Sequence, residues 1–422
     1  MSTSGGGRID GKRWVIVGLL SLGGIIAYLD RGNISVALAV PEFLKRFNLS
    51  DLDRGTVNSA FFWSYATLQI VMGWMVDRYG VKIPYAIGFT VWCLASASTA
   101  LTRSFSQLLA LRVMLGAGEA VVVPATYRWI RYNFAEKQRG LAMGLYMTGT
   151  KLGPAIGAPV AAWLIVSYNW QLMFVILGLG GLLWLIPWLT LVEDHRPKAG
   201  EVTPAQESSA AVPFGKVMVS PVLWGSIIVD FSYMYFVFFC MTWMPAYFVE
   251  ARDLSLRKMG LYTFFSFGGL AIIATLAGWA ADRLIARGWN AVAVRKGFVI
   301  AGFSLASTEL IGAHASSVEA ALFWAVFSLS GLGLASANSL ALTRGTLIPA
   351  SVVGRVTGVQ NFFGASAGIV GPLLTGWLKE VSGDYQAPMQ AIWLFLVLGI
   401  LSCVFLLREK YSPMRLVSEA AR

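Results

Sequence analysis

Long apolar segments constrain this chain more than any other feature of its sequence. Most of them reach the roughly 20 residues that a helix needs to cross a bilayer. Only helices or a closed barrel satisfy the backbone within hydrocarbon, and these runs are continuous rather than alternating. We therefore predict an all-α membrane protein with twelve transmembrane helices, at about 14–39, 56–77, 84–102, 105–130, 140–166, 170–191, 218–247, 260–281, 297–316, 318–343, 353–378 and 389–407.

One long polar stretch divides the apolar segments into two sets of six. Residues 193–216 contain proline, several charges and no apolar periodicity, as is typical of a linker. We predict an N-terminal six-helix half at 1–192, a cytoplasmic linker at 193–216 and a C-terminal six-helix half at 217–422.

The distribution of basic residues predicts the orientation in the membrane. With the N-terminus inside, 22 of the 33 Lys and Arg residues fall in the inside stretches and 8 in the outside loops. This bias places both termini in the cytoplasm and suits a multi-pass protein of the plasma (inner) membrane. Basic cytoplasmic loops also account for the net charge of +11, so we expect lipid and no nucleic acid as a partner. We expect a monomer.

Two internal echoes relate the halves. Gly73, Trp74, Asp77 and Arg78 recur 205 positions later as Gly278, Trp279, Asp282 and Arg283, and Gly144, Gly157, Trp163 and Leu164 recur 214 positions later. A six-helix unit duplicated in parallel is one way that transporters are built, with the site near the membrane midplane. The two halves should therefore be pseudo-symmetric.

These motifs resemble those of the major facilitator superfamily. The G-x-x-x-D-R loop after the second and eighth helices is similar to the signature loop of that superfamily. The segments YLDRGNISVA (28–37), FWSYATLQ (62–69), LRVMLGAGEA (111–120) and FFCMTWMPAYF (238–248) resemble the anion:cation symporter branch, which includes galactonate, hexuronate and aromatic-acid permeases. The resemblance covers essentially all twelve helices and implies the major facilitator fold.

Charged residues within the first and fourth helices are the candidate site. Each costs about 2.5–3.5 kcal/mol to insert, so retaining Asp30, Arg31, Arg112 and Glu119 favours a function. Asp30 and Arg112 lie at similar depths by residue counting, and pairing them leaves Arg31 for a substrate carboxylate. Glu119 in an apolar wall can take up and lose a proton. The alternatives are a self-neutralising Asp30–Arg31 pair and a structural contact between Arg112 and Glu119.

The resemblance implies the same roles for these residues. Asp30 and Glu119 would be proton sites, with Arg31 binding substrate. The branch carries a tyrosine at the position of Tyr65, which implies a hydroxyl donor, although Tyr65 could equally pack against a neighbouring helix. Tyr28 and Gln69 fit the same cavity. Asn361 resembles a polar residue that binds substrate from the C-terminal half, and Gln360 lies beside it.

Three further residues depart from the pattern. Lys151 could be a second cation for the substrate, or could neutralise Glu119 or Asp30. Asp230 has no obvious cationic partner and is a candidate for a further proton site. Glu309, near the outer end of the ninth helix, is expected at the interface.

The repeated loops are expected to act in conformational change rather than in binding. An acidic residue at a helix end suits a charge–dipole latch on the cytoplasmic side. We assign this role to Asp77 and Arg78 in the first half and to Asp282 and Arg283 in the second.

A secondary transporter fits these features best. We predict proton-coupled symport of a small organic anion, such as a sugar acid, by alternating access. An exchanger or uniporter using the same site is the alternative, and a receptor without transport is more remote because no sizeable soluble domain is present. Without a nucleophile–base or metal cluster, or a P-loop, we expect neither an enzyme nor a cofactor.

Overall fold

The structure is a computed structural model that describes residues 6–193, 214–349 and 352–413. The predicted linker at 193–216 lies almost wholly outside the described residues. In the described part of the chain every regular element is a helix. The α-helices are α1 (Gly6–Ala37), α2 (Pro41–Phe47), α3 (Asp51–Tyr79), α4 (Lys82–Ser98), α5 (Phe105–Glu119), α6 (Val122–Asn133), α7 (Glu136–Ser167), α8 (Trp170–Gly181), α9 (Leu185–Leu191), α10 (Phe214–Met218), α11 (Pro221–Thr242), α12 (Met244–Glu250), α13 (Leu256–Ala286), α14 (Ala291–Ala306), α15 (Glu309–Ala313), α16 (Val318–Leu342), α17 (Val353–Ser382) and α18 (Gln386–Phe405).

Each of the twelve predicted segments forms helix, which confirms the all-α membrane fold. Ten stretches of described helix are long and apolar enough to cross a membrane. The other two predicted spans correspond to α3 and α17, which have 29 and 30 residues and are therefore also long enough.

Several predicted spans are built from two helices rather than one. The fourth span breaks between α5 and α6, directly after Glu119. Pro124 lies in the first turn of α6 and has no N–H to donate to the carbonyl of Ala120, so the regular ladder cannot continue there. The seventh span breaks in the same way at Trp243, with Pro245 in the first turn of α12. The first break places a carboxyl group at a helix end.

The chain forms two compact units. The first comprises Met1–Glu201 together with Met241–Phe264, and the second comprises Val202–Cys240 together with Phe265–Arg422. In the first unit α1 and α7 pack closely, because a Cβ placed on Gly153 would lie only 2.5 Å from Cβ of Tyr28. Glycine is therefore required where these two helices approach.

The repeat in the sequence reappears as a repeat in packing. In the first unit a Cβ on Gly157 of α7 would lie 3.1 Å from Cγ of Leu29 on α1. In the second unit Gly371 of α17 meets Tyr235 of α11 at 3.7 Å in the same way. The two glycines are the predicted equivalents, so α1 with α7 and α11 with α17 are equivalent helix pairs within their own units.

A buried arginine ties α3 to α12 within the first unit. Arg54 is 3% exposed; its guanidinium binds Asp51 at 2.8 Å and Glu250 at 2.6 Å, and lies 4.9 Å from the Trp243 ring. The turn before it is fixed by a capping box, in which the Ser50 hydroxyl accepts from the Asp53 amide. Arg54 falls in a predicted outside loop and was not predicted as a buried residue.

Candidate functional site

A buried ion pair between α1 and α5 is the centre of the candidate site. Nε of Arg31 donates to Oε2 of Glu119 at 2.6 Å, and the two side chains are 4% and 0% exposed. The second carboxyl oxygen of Glu119, Oε1, is buried without a hydrogen-bond partner. Glu119 is the last residue of α5, so its carboxyl group lies at the helix break.

Aromatic rings surround the cation of this pair. The Cζ atom of Arg31 lies 4.4 Å from the Tyr28 ring centroid, 4.5 Å from that of Tyr65 and 4.8 Å from that of Phe61. Each ring face attracts a guanidinium, and desolvation strengthens the attraction. Arg31, Tyr28, Tyr65 and Phe61 form what we call the aromatic cage. It contains both predicted tyrosines together with Phe61, an ordinary apolar residue in the sequence, which was not predicted.

Asp30 points away from this pair. Its Oδ1 accepts from the Ser96 hydroxyl of α4 at 2.9 Å and from Nδ2 of Asn33 at 3.1 Å, whereas Oδ2 is buried without a partner. Ser96 was not predicted, because a serine within an apolar helix carries little signal. Since Asp30 and Arg31 lie about 100° apart on the helix, they reach different neighbours.

The expected pairing of Asp30 with Arg112 is wrong. Within the described residues Arg112 forms no ion pair and its Nε has no hydrogen-bond partner, although the side chain is only 4% exposed. Its guanidinium lies 5.5 Å from the Phe61 ring, on the same aromatic residue as Arg31. The alternative prediction was a structural contact between Arg112 and Glu119. The ion pairs of the described residues do not include that contact either. Packing, rather than depth, selects Arg31 as the partner of Glu119.

The other predicted polar residues of the first unit lie around this centre. Gln69 is half-buried and four residues beyond Tyr65 on α3, so the two share a helix face. Lys151 is half-buried in α7, the helix that packs against α1. In the part of the chain that the structure describes, Glu119 forms its ion pair with Arg31. Lys151 therefore does not neutralise the Glu119 carboxylate.

In the second unit the predicted amides hold an arginine. Arg344 donates from Nε to Oε1 of Gln360 at 2.9 Å and from Nη2 to Oδ1 of Asn361 at 3.3 Å. Gln360 also donates to the Ser226 hydroxyl of α11 at 2.8 Å and is buried, whereas Asn361 is exposed. Arg344 lies in a π-helical turn, Thr343–Leu347. Arg344 falls in a predicted inside loop and was not predicted as a site residue. Its position directly after an apolar segment was a signal that it lies close to the membrane-spanning part.

Asp230 and Glu309, the two acidic residues that depart from the family pattern, differ in their surroundings. Asp230 of α11 is 8% exposed and forms no ion pair or hydrogen bond within the described residues. Glu309 was expected at the interface, and this is wrong because it is 5% exposed and accepts from the Ser328 hydroxyl at 2.6 Å. Helix α15 turns the Glu309 side chain onto α16, which residue counting could not indicate.

The repeated loops each form an ion pair, but with helices that are not equivalent in the two units. Asp77 at the end of α3 pairs with Arg128 of α6, and Asp282 in α13 pairs with Arg295 of α14 at 2.8 Å. Arg78 lies over Trp74, and Arg283 lies over Trp279 in the same way, at 5.5 Å and 5.2 Å. The two aspartates therefore each link two helices of their own unit, and the neighbouring arginines pack on tryptophan.

Comparison with known proteins connects these features to one family. Residues 20–372 match the sequence profile of the Major Facilitator Superfamily. A Cupriavidus necator protein named "Probable sulfoacetate transporter SauU" is 30% identical, over 93% of this chain and 94% of its own. A hexuronate transporter of Bacillus subtilis is 28% identical over 88% and 89%, and a D-galactonate transporter of Escherichia coli is 27% identical over 94% and 96%.

A solved structure confirms the fold independently. A bacterial homolog of the human lysosomal transporter Spinster, in an inward-facing and unoccupied conformation, superposes with a TM-score of 0.76 at 16% identity, over 94% of this chain and 96% of its own. The resemblance to the anion-transporting branch is confirmed by the sequence relatives, which are named as transporters and not as enzymes. The chain belongs to the Major Facilitator Superfamily and is a multi-pass membrane transporter.

Proposed function

We propose that this protein is a proton-coupled symporter that carries a small organic anion by alternating access of two six-helix halves, 1–192 and 217–422. The observation that carries the proposal is the ion pair between Arg31 and Glu119 inside the aromatic cage. An anion and the Glu119 carboxylate compete for one guanidinium, so a proton on Glu119 and an anion on Arg31 favour each other.

The competition sets the order of events at the site. When Glu119 takes up a proton, it loses its charge and its hold on Arg31 weakens. The aromatic cage keeps the freed guanidinium in place, and its planar fork matches a carboxylate or sulfonate in two hydrogen bonds. When the anion leaves, Glu119 can release its proton only by pairing with Arg31 again. Proton and anion therefore move together.

Asp30 and Arg112 complete the charge balance. Asp30 has one oxygen without a hydrogen-bond partner, and this oxygen is where we place a second proton. Arg112 is buried beside Phe61 and compensates the carboxylates electrostatically without binding either one. Two acids and two arginines let the empty site be neutral overall, which lowers the cost of burying it.

The remaining polar residues orient the substrate. The rings of Tyr28 and Tyr65 lie beside the guanidinium that we assign to the anionic group, and Gln69 is one turn further along α3. Lys151 supplies a second cation for a doubly charged or hydroxylated acid. From the second half, Asn361 and Gln360 offer amide contacts together with Arg344, which they hold.

The substrate class follows from the guanidinium and from the relatives. The names of the three relatives contain sulfoacetate, hexuronate and galactonate, which are small anions with a planar carboxylate, together with a tetrahedral sulfonate in sulfoacetate. We place the protein in the plasma (inner) membrane with both termini in the cytoplasm, because its basic residues concentrate in the predicted inside loops. We further propose that it acts as a monomer.

A ligand screen followed by transport tests the proposal. Purified protein is heated with sulfoacetate, D-galactonate or a hexuronate, because a ligand that binds only the folded state raises the melting temperature. The anion that stabilises the protein is then offered to proteoliposomes with and without an inward proton gradient. Accumulation that depends on the gradient supports symport, and uptake that ignores the gradient contradicts it.

An exchanger or uniporter would use the same arginine. It would bind the same anion and equilibrate it, but it would not concentrate the anion when a proton gradient is imposed. Acidification of the liposome interior upon addition of the anion separates the two functions, because only symport carries protons inward with the substrate.

A further inference from the structure

Asp230 is a buried carboxyl group that the proposed mechanism does not use. It lies in α11, is 8% exposed and has no ion pair or hydrogen bond within the described residues. Its Oδ2 faces Gly364 of α17, where an added Cβ would lie 3.1 Å away. An unpaired ionised carboxylate in such a place costs several kcal/mol, so the group is stable there only if it can bind a cation or a proton.

The surroundings place Asp230 directly beside the amides of the second unit. Ser226 and Asp230 are four residues apart on α11, and Gln360 and Gly364 are four apart on α17, so each pair lies on one helix face. The bond between Ser226 and Gln360 and the contact between Asp230 and Gly364 are therefore consecutive layers, about 6 Å apart along the helices. The acid lies one turn from the group that holds Arg344.

The equivalent position in the first unit carries no acid. Leu29 of α1 and Tyr235 of α11 face the equivalent glycines of α7 and α17. Gly24 lies five residues before Leu29, just as Asp230 lies five residues before Tyr235, so Gly24 is the equivalent of Asp230. A Cβ on Gly24 would contact Thr150 of α7. Thr150 lies seven residues before Gly157, just as Gly364 lies seven residues before Gly371, so Thr150 is the equivalent of Gly364. The helix pair therefore forms without a carboxylate, and packing alone does not require Asp230.

Few charges act on this carboxyl group. Helix α11 has no other charged residue and α18, which packs on α11 through Phe395 and Phe231, has none. The charge that acts on Asp230 is that of Arg344, which is held by Gln360 and Asn361. Among the described residues no group of three or more His, Cys, Asp or Glu side chains could hold a metal ion, which favours a proton as the ligand of this carboxyl group.

We propose that Asp230 is a third proton-binding residue of the transport cycle, placed in the second unit beside the amides and Arg344. The proposal rests on the proton-coupled function above. Protonated Asp230 leaves the charge of Arg344 for a second anionic or hydroxyl group of the substrate, and deprotonated Asp230 competes for that charge. Each unit then has an acid next to its own arginine.

The number of protons carried with each substrate tests this inference. Proteoliposomes containing the full chain are given whichever of sulfoacetate, D-galactonate or hexuronate the screen identifies, and the membrane potential that stops net flux is measured at a fixed proton gradient. In Asp230→Asn the number of protons per substrate should fall by about one, since one carboxyl group binds one proton.

The matched control is Glu309→Gln, which changes a carboxyl group of the same unit that is similarly buried but bonded to Ser328. Its proton number should equal that of the wild type. An unchanged number in Asp230→Asn would overturn the inference and leave the proposed function intact. A wild-type number of zero would overturn proton coupling itself, and the inference with it.

A second measurement covers the case in which Asp230→Asn binds substrate but does not transport it. Infrared difference spectra of the purified full chain are recorded between acid and alkaline buffer without substrate. Wild type and Glu309→Gln should share a carbonyl band of a protonated carboxyl group that Asp230→Asn lacks. Addition of the anion should alter that band, and a band present unchanged in Asp230→Asn would overturn the inference.

Discussion

Arg31 is held by two kinds of interaction that respond differently to protons. Its hydrogen bond to Glu119 depends on the charge of the carboxylate, whereas its contacts with Tyr28, Tyr65 and Phe61 do not. In the proposed mechanism, protonation of Glu119 removes this partner and leaves the position of the Arg31 cation unchanged. The proposed substrate anion would then meet a guanidinium that is already oriented, so little conformational entropy would be lost on binding.

Replacement of Arg31 by lysine tests this role at the level of one side chain. Arg31→Lys keeps the charge but loses the planar fork, so binding of the screened anion should weaken by about 10- to 100-fold, as expected for one charged hydrogen bond of about 1.5–3 kcal/mol. Isothermal titration calorimetry measures the dissociation constant. The exposed Arg103→Lys is the matched control and should bind normally; equal binding by both variants would remove Arg31 from the site.

Prediction from sequence identifies the buried charges of the first and fourth spans and fails for their pairing. Arg112 and Glu119 were singled out in the fourth span, and both are buried in α5. Depth also suggested Asp30 as the partner of Arg112, but Asp30 binds Ser96 and Asn33 instead. The rotation of α1 about its axis decides which side chain reaches Glu119, and it is set by close packing on α7 rather than by any pattern in α1.

At the level of secondary-structure elements, helix breaks next to prolines determine where the charged groups lie. The break after α5 holds Glu119 at a helix end, and the break before α12 brings Trp243 and Glu250 to Arg54. The sequence predicted the spans as continuous helices, because apolar runs of this length contain both halves of a broken helix. Pro124 and Pro245 were the visible signals for the two interruptions.

The Arg54 cluster predicts a stability effect that is separate from transport chemistry. Glu250→Gln removes a carboxylate from a buried guanidinium that retains Asp51, so the free energy of unfolding should fall by about 1–2 kcal/mol. Thermal unfolding in detergent should show a lower melting temperature. Glu42→Gln changes an exposed acid of α2 and should leave the melting temperature unchanged. Equal melting temperatures for both variants would show that Arg54 does not depend on Glu250.

At the scale of the whole molecule, duplication explains why the loop motif and the helix pairs occur twice. The sequence echo at Gly157 and Gly371 predicted equivalent elements, and each glycine does receive a side chain of its neighbouring helix. The buried charges differ between the copies, because Arg31 and Glu119 belong to the first unit and Asp230 to the second. Internal symmetry therefore predicts the framework, whereas the charged residues break the symmetry.

The loop aspartates should control conformation rather than affinity. Asp77→Asn weakens the link between α3 and α6 through Arg128, so it should shift the populations of inward- and outward-open states with little change in anion binding. Labelling of single cysteines placed along α1 reports the shift. Asp282→Asn tests the ion pair of the second repeated loop with Arg295. Normal transport with unchanged labelling in both variants would contradict a latch.

Accumulation and exchange by Glu119→Gln, measured side by side in proteoliposomes, test the central claim most directly. Glutamine keeps the shape of the protonated side chain but cannot release a proton, so the empty carrier cannot restore its pair with Arg31. In the wild type, binding should strengthen at low pH and weaken as pH rises, because protonation frees Arg31; in the variant binding should lose much of this pH dependence. We predict that Glu119→Gln exchanges labelled for unlabelled anion but does not concentrate it when an inward proton gradient is imposed. Gradient-driven accumulation by Glu119→Gln would contradict the account.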